Sequence, residues 1–264
     1  MQNTPHPDRP GYQPGWINDF LVATVFLTRL PIRLRFHFSM PALMTACRAF
    51  PLVGVIVGGL SGGVFWLATL IGLPALPAAF LALAAQALVT GALHEDAIGD
   101  VADGFGGGGT RDKKMEIMRD SRVGTYAVVT LILLIGLKAA AISSLGDPLQ
   151  VLVILMIAAA VSRGMIVWAL RFLPAARTDG LGASAGKPSL VTCLWSLGLC
   201  VLLTLLCVGV VQGAVLLLAG TLGAALMAEI ARRQIGGQTG DVLGSIQQIS
   251  ETVILLAALS LISA

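Results

Sequence analysis

Three aspartates in the segment from His94 to Ala127 have the types and spacing that metal-assisted chemistry needs. Asp96, Asp100 and Asp103 are separated by four and then three residues. On an α-helix, at about 100° per residue, they fall within roughly 60° of one another. Carboxylates crowded onto one face repel one another, and a divalent cation that prefers oxygen ligands would compensate their charge. The spacing therefore predicts that these aspartates bind Mg²⁺ and take part in catalysis.

The residues after these aspartates supply candidate contacts for a phosphorylated substrate. Gly104 opens the run GFGGGG, which is predicted to end the helix and to let backbone N–H groups approach an anion. Arg119 and Arg122 stand three residues apart, so both side chains can point toward one phosphate. Asp120, between them, is predicted to hold these arginines or the metal. A second polar island, RRQIGGQTGD, adds three candidate substrate-binding residues: Gln238, Thr239 and Asp241.

Three further polar residues lie in or beside apolar segments. Lys138 and Arg163 fall inside predicted spans, where an ionisable side chain is a functional hypothesis by default. Structural pairing is the alternative for both, and the sequence leaves the choice open. His94 lies roughly 160° around the helix from Asp96, and we expect it to face the membrane interface rather than the metal.

The composition shows what kind of scaffold must position these groups. Hydrophobic residues make up 56% of the 264 positions, charged residues make up 12%, and the mean hydropathy is +0.87. A soluble domain has about 25% charged residues, so the chain falls in the membrane class. Its net charge of +3 is too small to indicate nucleic-acid binding. The four cysteines form no CxxC pair, so neither a structural zinc site nor a disulfide framework is predicted.

Apolar runs divide the chain into predicted spans. A spanning helix needs about 20 apolar residues, and a weaker segment at 16–30 adds one candidate to seven stronger ones. We therefore predict an all-α polytopic membrane bundle of seven or eight helices, with a flexible proline-rich tail over 1–15 and a single membrane-embedded catalytic domain over 16–264. The seven stronger candidates are 49–72, 74–93, 125–145, 148–172, 188–211, 213–230 and 252–263.

The loops predict the orientation of this bundle. If the spans alternate, four charged segments lie on one side of the membrane and carry most of the lysines and arginines, whereas the connections on the other side carry none. Such an asymmetry indicates that the charged side is cytoplasmic. The acidic residues collect there too, so the predicted active site lies at the cytoplasmic face. The four segments are 31–48, 94–124, 173–187 and 231–251.

These features predict a Mg²⁺-dependent enzyme that transfers a phosphoryl or nucleotidyl group at the membrane surface. Two other interpretations are weighed against it. Charged loops can simply orient a membrane protein, and glycine-interrupted helices with buried charges also occur in transporters. Transporter sites lie near the bilayer midplane in repeat-related helices, whereas here the acids gather at one surface and the two halves show no repeat. An enzyme is therefore favoured over a transporter.

Several motifs add a specific resemblance. HEDAIGDVADG resembles the H-x-D-x-x-x-D-x-x-D-G signature of the cobalamin synthase family, the adenosylcobinamide-GDP ribazoletransferases, and MEIMRDSRVGTYA resembles the element that follows it. FLTRLP and RAFPLVGVIVG are similar to the opening of that family, and GGQTGD to its closing motif. The similarity runs from about residue 17 to the end of the chain. Ala97 and Gly99 depart from it, because glycine and alanine are common at those positions in the family.

The resemblance implies a reaction, a cofactor and a location. A ribose hydroxyl of α-ribazole, or of its 5′-phosphate, would attack the phosphorus next to the corrinoid in adenosylcobinamide-GDP, and GMP would leave. The resemblance also implies that the reaction needs Mg²⁺, that the aspartates named above bind this ion and take part in catalysis, and that the protein lies in a bacterial inner membrane. CDP-alcohol phosphotransferases share the chemistry but not the spacing, so they remain an alternative by analogy only. Small residues in GGLSGG, from Gly58 to Gly63, also leave room for a homo-oligomer.

Overall fold

A computed structural model describes residues 11–37, 40–177 and 186–262, and these ranges are mostly helical, with no β-strand among them. Residues 1–10 of the predicted tail lie outside the described residues. A 3₁₀ turn, Cys47–Ala49, lies between the helices Met40–Ala46 and Phe50–Leu70. The helices are α1 (Trp16–Leu27), α2 (Met40–Ala46), α3 (Phe50–Leu70), α4 (Ala75–Thr90), α5 (Leu93–Gly107), α6 (Arg111–Ile117), α7 (Thr125–Ser144), α8 (Pro148–Phe172), α9 (Leu190–Val208), α10 (Val210–Ile235) and α11 (Gly240–Ile262).

The predicted polytopic helical bundle is confirmed. Within the described ranges, six helical segments are long and apolar enough to cross a membrane, and the bent pair α4 and α5 makes a seventh if it counts as one span. The first of them runs without interruption from Met40 to Leu70, so it begins earlier than predicted. Helix α1 has only 12 residues, which is about 18 Å of helix, too short for a bilayer core of about 30 Å.

The second predicted span, 74–93, is not a single straight helix. Helix α4 ends at Thr90, and α5 leaves it at an angle of 93°. Gly91 and Ala92 make the bend, because both adopt left-handed backbone conformations with φ of 68° and 55°. Glycine adopts that region freely, whereas alanine does so at a cost that the surrounding packing must offset. The three aspartates therefore lie on a helix, as predicted, and that helix is the second arm of a bent pair.

Close backbone contact joins α3 to α8 in the centre of the bundle. A Cβ atom added to Gly54, Gly58 or Gly62 would collide with the backbone of α8. These glycines repeat every fourth residue and so lie along one face of α3. Gly58 and Gly62, two of the small residues in GGLSGG, thus pack against α8 of the same chain. They are therefore not available for the contact with a second copy for which GGLSGG leaves room.

A buried polar network lies among α4, α5, α7 and α11. The Lys138 ammonium donates to Gln248 Oε1 at 2.5 Å and lies 3.4 Å from Glu251 Oε1. Gln86 donates to the same Glu251 oxygen at 2.6 Å, and Gln248 donates to Glu95 at 2.9 Å. All of these side chains except Glu95 are buried. The structure therefore pairs Lys138 with an acid, as the structural alternative proposed.

Arg163 is fully buried on α8. Its Nη1 donates to the Ala159 carbonyl at 3.0 Å, and its charge is attracted by Glu251 and Glu95. Its Nε and Nη2 atoms have no hydrogen-bond partner among the described residues. The Glu251 carboxylate therefore attracts two buried cations, Lys138 on α7 and Arg163 on α8. These attractions stabilise the packing of α11 against α7 and α8.

Candidate active site

The segments that were predicted to share one side of the membrane meet at one end of the bundle. Arg111, at the start of α6, donates from Nε to the Ile235 carbonyl at 2.9 Å and from Nη2 to the Ala176 carbonyl at 2.5 Å. Two backbone hydrogen bonds also join Gln238 to the segment after α8, one with Pro174 and one with Ala176. The loops after α5, α8 and α10 are thus fixed to one another.

Helices α5 and α11 approach closely at this end. A Cβ atom on Gly244 would collide with Ala97, and the Ser245 hydroxyl donates to the Ala97 carbonyl at 3.3 Å. This contact carries Asp241, in the first turn of α11, to the acidic face of α5. The carboxylate of Asp100 is repelled by those of Asp96, Asp241 and Asp103. The structure therefore adds Asp241 to the three aspartates that were grouped by their spacing.

Arg177 lies beside the acidic cluster, by which we mean Asp96, Asp100 and Asp241, and the sequence motifs did not indicate it. Its Nη2 lies 3.9 Å from Asp241 Oδ2 and donates to the Met115 carbonyl at 3.4 Å. Its charge also attracts Asp100. Its side chain is only 17% exposed, so this charge is held in place rather than free in solvent. The position of Arg177 in a loop after α8 gave no signal beyond its charge.

Asp103 has a structural role that its spacing did not show. Its Oδ2 accepts from the Gly124 N–H at 2.6 Å and its Oδ1 from the Ala127 N–H at 2.9 Å. It is 8% exposed, whereas Asp96 on the same helix is exposed. A carboxylate at this position accepts hydrogen bonds from backbone N–H groups at the start of α7. Its negative charge also interacts favourably with the positive, N-terminal end of the α7 helix dipole. Asp103 therefore fixes α7 against α5.

We expect Asp103→Ala to lower the free energy of unfolding by about 1–2 kcal/mol, because it removes both hydrogen bonds to the start of α7. Thermal unfolding in detergent measures the loss. Asp147→Ala is the matched control, since Asp147 caps α8 through one hydrogen bond to the Gln150 N–H and is solvent-exposed. A smaller loss in Asp103→Ala than in Asp147→Ala would contradict the role assigned to Asp103.

The predicted arginine clamp is only partly assembled. Arg122 donates to both carboxylate oxygens of Asp120, at 2.5 to 3.1 Å, and its side chain is 88% exposed. These bonds lower the pKa of Asp120 to about 2. Asp120 thus holds one of the arginines, as predicted. Arg119 is exposed on the same loop, and the hydrogen bonds of the loop direct Arg122 to Asp120 rather than to the aspartates of α5.

The other predicted substrate contacts lie at the same end and have packing or capping partners. Gly104 is buried against α6, where a Cβ atom would collide with Met118. The Thr239 hydroxyl accepts from the Val242 N–H and donates to Asp241 Oδ2 at 3.2 Å, so it caps α11 and orients Asp241. Gln238 is buried, and its Oε1 has no partner among the described residues.

An apolar cavity of about 200 Å³ opens beside the acidic cluster. Asp96 and Asp241 line it on one side, and His94 lies in its wall. His94 is 3% exposed, so the expectation that it faces the interface is wrong, since α5 turns this face of the helix into the bundle. The rest of the lining is apolar or backbone: Phe26, Leu27, Leu43, Met44, Phe50, Leu93, Ala97, Ile166, Leu170, Gly240, Leu243 and Gly244.

The comparisons with known proteins decide the family. The family model of cobalamin-5-phosphate synthase matches residues 19–259. The chain belongs to this family. It is 45% identical to an adenosylcobinamide-GDP ribazoletransferase of Mesorhizobium japonicum and 42% identical to one of Bradyrhizobium diazoefficiens, in each case over 92% of this chain and 93% of the relative. No solved structure matches the chain.

Membership in the cobalamin-5-phosphate synthase family confirms the resemblance that the motifs indicated. The predicted metal ligands need a separate test against the geometry. In the part of the chain that the structure describes, no three His, Cys, Asp or Glu side chains are arranged to hold a metal by themselves. Asp103 is already bonded through both oxygens. The remaining carboxylates, Asp96, Asp100 and Asp241, lie close enough to repel one another, and the Arg177 guanidinium attracts Asp100 and Asp241.

Proposed function

We propose that this protein joins α-ribazole, or its 5′-phosphate, to the corrinoid of adenosylcobinamide-GDP and releases GMP. The observation that carries this proposal is the acidic cluster of Asp96, Asp100 and Asp241, two of whose members line an apolar cavity, in a chain whose relatives are named adenosylcobinamide-GDP ribazoletransferases. A ribose 3′-hydroxyl oxygen forms a bond to the phosphorus that carries the corrinoid. The bond from that phosphorus to the oxygen bridging to GMP breaks.

The carboxylates of the cluster take the proton of the attacking hydroxyl. Asp100 is half-buried and is repelled by three other carboxylates, which favours a proton on it. Asp96 is exposed and lines the cavity, so it lies where a bound acceptor would present its ribose. Asp100 supplies the general base. Arg177 holds Asp241 in the cluster and offers a positive charge to the diphosphate.

The donor set fits Mg²⁺ once a substrate phosphate is included. Mg²⁺ is usually held by one or two carboxylates together with phosphate oxygens and water, so a complete three-residue cluster is not required. Asp96 and Asp241 would hold the ion, Asp100 would stay free to take the proton, and Asp103 would position the helices around it. When bound, the ion neutralises charge on the diphosphate and on the departing GMP.

The proposed location is the cytoplasmic face of a bacterial inner membrane. The segments 31–48, 94–124, 173–187 and 231–251, which include the acidic cluster, carry most of the basic residues of the chain, and the short connection at 145–147 on the opposite side has none. Lysine and arginine are enriched in cytoplasmic loops. A cysteine placed at Lys113 should therefore react with a membrane-impermeant thiol reagent only in inside-out vesicles.

The deciding experiment incubates the purified protein, in detergent or in proteoliposomes, with adenosylcobinamide-GDP and α-ribazole. Mass spectrometry should detect the joined corrinoid and an equal amount of GMP. EDTA should abolish both products and added Mg²⁺ should restore them. A transporter would instead move corrinoid across sealed vesicles without forming GMP. A CDP-alcohol phosphotransferase would release CMP from a CDP-alcohol, and either result would overturn the proposal.

A further inference from the structure

The side chains that line the cavity beside the acidic cluster are apolar, with three exceptions. Helices α1, α2, α3 and α8 supply apolar side chains such as Phe26, Leu43, Phe50 and Leu170. The polar side chains in the lining are Asp96 and Asp241 on one side and His94 in the wall. A ligand that fills this space must therefore be largely apolar and must reach the aspartates at one end.

The size of the cavity restricts the occupant further. A dry apolar cavity of about 150 Å³ accepts a benzene molecule, and this one is about 200 Å³. One bicyclic aromatic ring fits such a volume, whereas a corrin macrocycle with its amide side chains is far too large. Guanine is small enough, but its donors and acceptors would lie unpaired against the apolar wall, which costs binding free energy.

His94 supplies a directional contact in that wall. It is 3% exposed, and its Nε2 has no hydrogen-bond partner among the described residues. An imidazole N–H donates well to an unsubstituted ring nitrogen. The base of α-ribazole is a dimethylated benzimidazole, which has an apolar edge with two methyl groups and one ring nitrogen that only accepts. Its shape, its polarity and its single acceptor match this cavity.

We propose that this cavity binds the benzimidazole base of the acceptor nucleoside, with His94 donating to its free ring nitrogen. The inference rests on the proposed function and specifies which part of which substrate the cavity takes. With the base in the cavity, the attached ribose lies at Asp96 and Asp241, beside the cluster that takes its hydroxyl proton. His94 is thus a specificity-determining residue, and the apolar wall selects the methylated edge.

The first test narrows the cavity. Leu170→Trp, at 5% exposure in the wall, should raise the KM for α-ribazole at least about 10-fold and leave the KM for adenosylcobinamide-GDP unchanged. The rise should be smaller for the riboside of unmethylated benzimidazole, because that base needs less space. Leu206→Trp is the control, since Leu206 is 75% exposed on α9 and should change neither KM.

The second test removes the hydrogen bond from either side. The wild-type protein should use the riboside of 5,6-dimethylindole, which has a carbon in place of the accepting nitrogen, with a KM raised roughly 10-fold. His94→Phe should raise the KM for α-ribazole by a similar factor and should no longer distinguish it from the indole riboside. The comparison of two acceptors on the wild-type protein needs no variant, so it stands even if a substitution prevents folding.

Several results would overturn the inference while leaving the proposed function intact. One such result is an unchanged KM for α-ribazole in Leu170→Trp. Others are an equal rise in the KM for α-ribazole and for adenosylcobinamide-GDP, or an equal rise in the KM for α-ribazole and for the riboside of unmethylated benzimidazole. Equal use of the benzimidazole and indole ribosides by the wild type would do the same. Native mass spectrometry that shows a phospholipid lost from Leu170→Trp with unchanged kinetics would assign the cavity to an acyl chain. Failure of the wild type to release GMP would instead refute the proposed function.

Discussion

Asp100→Asn should lower turnover by about 10²–10⁴-fold, the range expected when a positioned acid–base group is lost. The substitution keeps the size of the side chain and removes the ability to take a proton. Asp100 is the member of the cluster that the charges of Asp96, Asp103 and Asp241 all act upon. Initial rates of GMP release at saturating substrate and Mg²⁺ measure the effect.

Asp112→Asn is the matched control for this prediction. It makes the same chemical change on α6, in an exposed carboxylate whose side chain is 95% accessible, and it should leave turnover close to normal. Folding of both variants is checked by size-exclusion profiles in detergent. Near-normal turnover of folded Asp100→Asn would remove Asp100 from the catalytic cluster.

Glu251→Gln should lower the free energy of unfolding by roughly 3–5 kcal/mol, the cost of breaking a buried ion pair from one side. Glu251 lies 3.4 Å from the Lys138 ammonium and also attracts Arg163, and all three side chains are buried. The substitution leaves two buried cations without the carboxylate that they share. Reversible unfolding in mixed detergent measures the loss.

Glu229→Gln tests whether burial is the cause. Glu229 also pairs with two cations, Arg232 at 2.7 Å and Arg233 at 2.6 Å, but at the exposed end of α10. Because solvent screens such a pair, this variant should unfold much like the wild type. The double variant Lys138→Met with Glu251→Gln should recover part of the loss, since it removes one of the stranded cations. Equal losses in Glu251→Gln and Glu229→Gln would contradict the assignment.

The main features of the fold could be predicted because they depend on local properties of the chain. Runs of about 20 apolar residues indicate spans wherever they occur, and the structure has spans near most of the predicted positions. The boundaries at polar segments were less accurate. The predicted start at 252 proved to be Gly240, because the polar residues of α11, among them Gln248 and Glu251, are buried in the network instead of lying in a loop.

The candidate site could be predicted only where its residues lie on one element. The spacing of Asp96, Asp100 and Asp103 placed them together on one helix, and α5 confirms that placement. Spacing could not separate their roles. Asp103 binds backbone N–H groups up to 24 residues away, a contact that exists only after α7 packs on α5. The prediction that His94 faces the membrane interface was wrong for a similar reason, because its burial depends on how α5 packs into the bundle.

By itself, the sequence determined the helical membrane class, the charged end of the bundle, the run of aspartates and the family, since each follows from composition, periodicity or a contiguous motif. Only the tertiary structure showed that Asp241 and Arg177 lie near those aspartates. It also showed that the Glu251 carboxylate compensates the charges of two buried cations, and that an apolar cavity lies beside the cluster. These depend on the left-handed bend at Gly91 and Ala92 and on the contact of Gly244 with Ala97. Such contacts join residues far apart in the chain, and no local pattern encodes their distance.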